Sequence, residues 1–195
     1  MALSIAAGAV AGAIAGFAWG GVGGRVAMRV LFLTSDEAVR GLTSDDGFEI
    51  GRISPDSIFL LLAMTVVGGV LGAAYGLVRM LFRAPSWMVS GGIATALGAG
   101  AGGGLIVRPD GVDFQLLEPL WLAVALFVFL PAVWGLSVGL ATERLLHIKL
   151  TSASRLPDTD VRPLGLLGDI LGWSSLAVIT LIGLRDLLHD LARLS

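Results

Sequence analysis

Long apolar stretches alternate with short polar ones along this chain, and proline marks the changeovers. Pro55, Pro85, Pro119 and Pro163 each stand immediately before a long apolar segment. A helix tolerates proline in its first turn, where the missing N–H has no partner to lose. Ser54 before Pro55 is a good N-cap, and Asp56 suits the positive end of the helix. The pattern predicts helix two over 55–78, helix three over 85–107, helix four over 119–142 and helix five over 163–184. Helix one is predicted over 3–24, a length of roughly 33 Å at 1.5 Å per residue, enough to cross a bilayer.

The fold class expected is therefore all-α. The chain reads as one transmembrane domain over 1–195, a polytopic transmembrane helical bundle of about five membrane-spanning helices. The pattern allows helix one to continue into "RVAMRVLFL", where Arg25 and Arg29 lie four apart on one face and snorkel toward headgroups. "HIKLTSASRLPDTDVRP" reads as a polar, mobile connector. At the C-terminus, "LRDLLHDLARLS" puts Leu184, Leu187, Leu188, Leu191 and Leu194 on one face, with charges largely opposite. That predicts an amphipathic tail over 185–195 lying at the membrane interface.

Composition agrees. The hydrophobic share is 55%, the charged share 14% and the mean hydropathy +0.87, against about 25% charged residues in soluble domains. With no cysteine there is no disulfide or thiolate chemistry, and with no asparagine no N-glycosylation acceptor. The net charge of −2 argues against nucleic acid. Arginine dominance over lysine in an Ala-, Gly-, Leu- and Val-rich chain fits a bacterial source, and the expected location is the bacterial inner membrane, multi-pass. "MALSIAAGAV" lacks the basic region of a secretory signal and reads as the start of an uncleaved helix. Across five spans the 13 Lys and Arg divide seven to six between the two sides, which sets no orientation.

Gly8, Gly12, Gly16, Gly20 and Gly24 recur every fourth residue along helix one and form a groove on one face. Small residues let helix backbones approach closely in lipid. This glycine zipper has two readings: packing within the bundle, or self-association into a homo-oligomer. Helices two, three and four carry shorter glycine series.

Two polar stretches share a pattern. Asp46 and Asp110, Gly47 and Gly111, Glu49 and Asp113, and Pro55 and Pro119 align at a constant offset of 64. One reading is a tandem repeat of hairpins. Another is a cation site in which Asp46, Glu49, Asp110 and Asp113 supply oxygen ligands to Ca²⁺ or Mg²⁺, although the spacing is not that of an EF-hand. The simplest is turn chemistry, since Gly accepts positive φ and Asp bonds nearby backbone. The phrases "SDDGFEIGR" and "DGVDFQLLEPLWLAVALF" resemble an uncharacterised family of small polytopic membrane proteins of actinobacteria-like bacteria. That resemblance implies a location and no activity.

Asp169 is the one acid clearly inside a predicted span, past its first turn, and is a functional candidate for that reason; pairing with Arg162, Arg79 or Arg144 is the alternative. Pro131, midway along helix four, leaves the carbonyl of Phe127 without its helical donor and predicts a kink or hinge. Trp19, Trp87 and Trp121 are expected near interfaces, Trp134 and Trp173 deeper. Neither His147 nor His189 belongs to a zinc-protease motif, and there is no P-loop or nucleophile elbow. No catalytic residue and no cofactor are expected. The expected partners are the lipid bilayer, a second copy through helix one, or another membrane protein. The expected function is structural or assembly-related; the alternative is a small-solute or ion transporter or channel.

Overall fold

The computed structural model describes residues 2–36, 56–79, 87–107, 114, 118–152 and 165–194. These residues form helices and no strands. Helix α1 runs Ala2–Thr34, with a wider π-helical stretch at Gly16–Gly23. Helix α2 is Asp56–Val78. Helix α3 covers 87–106, with a second π stretch at Gly98–Gly102. Helix α4 is Leu120–Ser152 and contains Pro131; α5 is Gly165–Leu194.

Three of these helices, Ala2–Thr34, Ser57–Val78 and Leu120–Leu146, are long and apolar enough to cross a membrane. Their apolar side chains do not all turn inward. Of the most apolar stretch of α2 only 17% is buried inside the protein, and Ile58, Phe59, Leu62, Val66, Val67, Val70 and Leu71 are exposed. In water such a surface would drive aggregation; facing lipid it costs nothing, and helices keep every backbone group paired there. This is the surface of a membrane protein.

The helices pack in the order α2, α1, α4, α3, α5. What lets them approach is the absence of side chains at the contacts. A Cβ at Gly12 would stand 2.8 Å from the Cα of Gly72, and one at Gly72 would stand 2.7 Å from the Cα of Gly12. Gly8 and Gly16 face the backbones of Gly72 and Met64 in the same way. The predicted groove is therefore filled from within the chain over Gly8, Gly12 and Gly16. Further along, Gly20 meets the Met64 side chain at 3.2 Å and Gly24 has nothing within 4 Å.

A second seam joins α3 to α4, where Gly98, Gly135 and Gly139 face the backbones of Pro131, Ala94 and Ser90. Moving along from α1 to α3 by 86 positions and from α2 to α4 by 63 carries one set of antiparallel contacts onto the other. The two hairpins share a packing register, but not the single offset of 64 that the loop phrases propose.

Two expectations need correction. The connector beginning at His147 is helical through Ser152, because Leu145, Leu146, Ile148 and Leu150 sit among good helix formers with no glycine or proline to stop the helix. The tail from Arg185 is not a separate element: α5 continues unbroken to Leu194, and Leu187 and Leu191 pack against Leu31, Val107, Phe114 and Ala123. Part of its leucine face is thus taken up by protein, while Leu184 and Leu188 stay exposed. Trp19 is half-buried and donates Nε1–H across helices to Ser137 Oγ at 2.9 Å. Trp121, by contrast, is 70% exposed.

Candidate functional site

One end of the bundle holds a connected set of polar side chains. Tyr75 and Arg79 lie four apart at the close of α2, on one face of the helix. Arginine at this position also complements the negative end of the helix. Ser90 is in the first turn of α3, and Glu143 lies on α4 one residue past its predicted end.

The Arg79 guanidinium grips the Glu143 carboxylate at both oxygens, through Nε to Oε1 and through Nη2 to Oε2 at 2.9 Å. Such two-point pairing fixes orientation as well as adding energy. Ser90 Oγ donates to Glu143 Oε1 at 3.1 Å. Because that uses the only hydroxyl hydrogen of Ser90, the Tyr75 hydroxyl is the donor in its 2.5 Å contact with Ser90 Oγ. The hydrogen bonds to Glu143 raise Arg79 further above its already high range, so it stays charged at any physiological pH.

Burial grades inward along this chain. The side chains of Arg79 and Glu143 are 25% and 17% exposed, whereas Ser90 is fully buried and Tyr75 nearly so. Beyond Tyr75 come Ala15, Ala94 and Val138, flanked by Trp19 and Trp134. The polar chain thus starts at the end of the bundle and stops at an apolar core. Chemically it has a neutralised ion pair and two hydroxyls, with no activated nucleophile. Mechanically it ties the end of α2 to both α3 and α4. Thr142, next to Glu143, is fully buried and its Oγ1 has no hydrogen-bond partner.

The opposite end is fastened through backbone. Thr34 Oγ1 lies 2.8 Å from the carbonyl oxygen of Glu118, and Ser35 Oγ accepts the Glu118 N–H at 2.7 Å.

Of the residues singled out in the sequence, Asp46, Glu49, Asp110 and Asp113 lie outside the described residues. Among the described residues no group of three or more His, Asp or Glu is placed to hold a metal. Asp169 is in α5, but its side chain is outside the described set; the carboxylate that Arg79 holds is that of Glu143. Pro131 sits inside α4 against Gly98 and Gly102. The sequence reading did not single out Tyr75, Ser90 or Glu143. A usable signal existed for the first: the single tyrosine of the chain stands one turn before an arginine on a glycine-rich helix. No family model, curated protein or solved structure matches the chain.

Proposed function

We propose that this chain is a non-catalytic, multi-pass protein of the bacterial inner membrane, crossing it five times, with a structural, assembly or partner-binding role. The observation that supports this best is the use of Glu143. The acid at the end of the α4 span is held by Arg79 at both oxygens and by Ser90, and the hydroxyl chain behind it ends in apolar packing. An intramembrane acid arranged to move ions needs a continuing polar path. Here the polar groups join three helices to one another. The outward apolar surface then meets lipid or the apolar surface of a membrane partner.

A second reading, small-ion transport, draws on the same carboxylate, because a hydroxyl relay into a bundle is also a proton-relay element. Reconstitution into vesicles loaded with pH- and cation-sensitive dyes separates the two. The structural reading expects leak rates equal to those of empty vesicles. Flux that disappears in Glu143→Gln would overturn it. A photo-reactive residue at the exposed Trp121, cross-linked in native membranes, is expected to give one discrete adduct if the role is partner binding. Crossing number and location are checked by reporter fusions at each polar segment.

A further inference from the structure

The buried core of this protein is divided in two. Near the polar clamp it consists of Ala15, Tyr75, Ala94 and Val138, with Trp19 and Trp134 against them. Toward Thr34 and Glu118 it consists of Leu31, Val107, Phe114, Ala123 and Leu187. Helices α1, α3 and α4 run through both clusters. Between the clusters α1 and α3 each pass through a π stretch, and α4, α-helical throughout, carries a proline.

In α1, Ala15 belongs to the first cluster and Leu31 to the second, with the π stretch Gly16–Gly23 between. Along α3, Ala94 and Val107, the residue just past the helix end, are separated by the π stretch Gly98–Gly102. In α4, Val138 and Ala123 are separated by Pro131. The irregularities also touch. A Cβ at Gly102 would lie 2.5 Å from the Pro131 Cβ, and one at Gly23 would lie 2.8 Å from the Leu130 side chain. The three form one layer across the bundle.

A π turn replaces i→i+4 bonds with i→i+5 bonds and marks places where helices change register. Glycine offers no side chain to resist that change, and proline removes the N–H that would bond the Phe127 carbonyl. α2 is the control: it is equally glycine-rich at Gly68, Gly72 and Gly76, lies beside α1, and is regular over its 23 residues. It contributes Tyr75 to the first cluster and no residue to the second.

We propose that this layer is a hinge, and that the protein consists of two rigid blocks that move relative to each other about it. The clamp block holds α2, the first half of α1, the start of α3 and the later half of α4. The other block holds the remainder of α1, α3 and α4, together with the end of α5 that carries Leu187 and Leu191. Each block is fastened by its own cross-helix hydrogen bonds, at Arg79–Glu143–Ser90–Tyr75 and at Thr34–Ser35–Glu118. Hinge motion between bonded, packed bodies is a standard mode of domain movement.

Because the chain has no cysteine, introduced pairs carry spin labels uniquely. Outward-facing sites are available at Val10 and Val70 in the clamp block and at Leu33 and Leu188 in the other. Electron–electron distance distributions are measured in lipid nanodiscs for Val10–Val70, Leu33–Leu188 and the crossing pair Val70–Leu188. The crossing pair is expected to be about twice as broad as either pair within a block, as for two bodies that rotate. Pro131→Ala, which restores the N–H donor to Phe127, should narrow the crossing pair and leave the other two unchanged. A crossing distribution no broader than the internal ones, equal breadth in all three, or no response to Pro131→Ala would overturn the hinge.

Discussion

Between α1 and α2 the backbones meet mainly glycine on glycine, at Gly8, Gly12, Gly68 and Gly72; between α3 and α4 glycine meets mainly alanine, proline or serine, with Gly139 also against Gly91. Both seams repeat every four residues, the spacing that keeps one helix face in register with another. The difference lies in what each seam permits. In both seams the helices come so close that even a methyl group would strike main chain, at Gly12 the Gly68 carbonyl and at Gly135 the Ala94 carbonyl. The mixed seam also seats Pro131, its carbonyl facing Gly98 and its ring facing Gly102. One glycine series therefore sets helix against helix on both faces, and the other also makes room for a proline.

The sharpest way to break this comparison is to fill the first seam. Gly12→Leu or Gly72→Leu places a side chain against backbone that cannot rotate away. The expected loss is at least about 3 kcal/mol, the upper range for overpacking, read as earlier unfolding in a denaturing-detergent titration. Retention of wild-type stability would show that the seam does not exist as described. Gly20→Ala on the same stripe meets only the flexible Met64 side chain and should cost less than about 1 kcal/mol.

Next in size is the clamp. Glu143→Ala leaves the Arg79 guanidinium without its acceptor in a partly buried site, with an expected cost of about 2 kcal/mol, below the range for a fully buried pair. Replacing both partners by apolar residues should cost less than the two single changes together, because neither charge is then stranded. Additive costs would mean that the pair is not coupled.

The smallest effects are expected to have the opposite sign. Thr142→Val removes a buried hydroxyl that has no partner and should stabilise by about 1 kcal/mol. Gly24→Ala, with open space around it, should stabilise by roughly 0.5–1 kcal/mol through helix propensity alone. A loss at Gly24 would show that the stripe is engaged along its full length, as in a homo-oligomer. Sedimentation in detergent would then identify the second copy.

Helix positions were largely legible in the sequence, because proline and apolar run length report directly on where a spanning helix begins. The end of α2 at Val78 coincides with its predicted end. The end of α4 does not: the reading stopped at Thr142, before the first charge, and the helix continues to Ser152. A charge ends a hydrophobic span, but it does not end a helix. That Leu187 and Leu191 of α5 join the core was illegible for a related reason. A leucine face looks the same whether it meets a bilayer or a protein core, and only Leu31, Val107 and Phe114, distant in sequence, decide which. The clamp was illegible as a unit because Arg79 and Glu143 are 64 residues apart, and no local pattern links them. The acids that local pattern does emphasise, in the Asp-Gly phrases, lie outside the described residues.

The α1–α2 seam inside a single chain is the central claim, and one cross-link tests it. A Cβ built at Gly69 lies 3.5 Å from the Ala13 Cβ, within the separation a disulfide spans. In the otherwise cysteine-free chain, Ala13→Cys with Gly69→Cys should oxidise to a bond within one molecule. The product would run as a monomer on a non-reducing gel, with both thiols consumed. Disulfide-linked dimers, or thiols that stay free under oxidation, would contradict the seam.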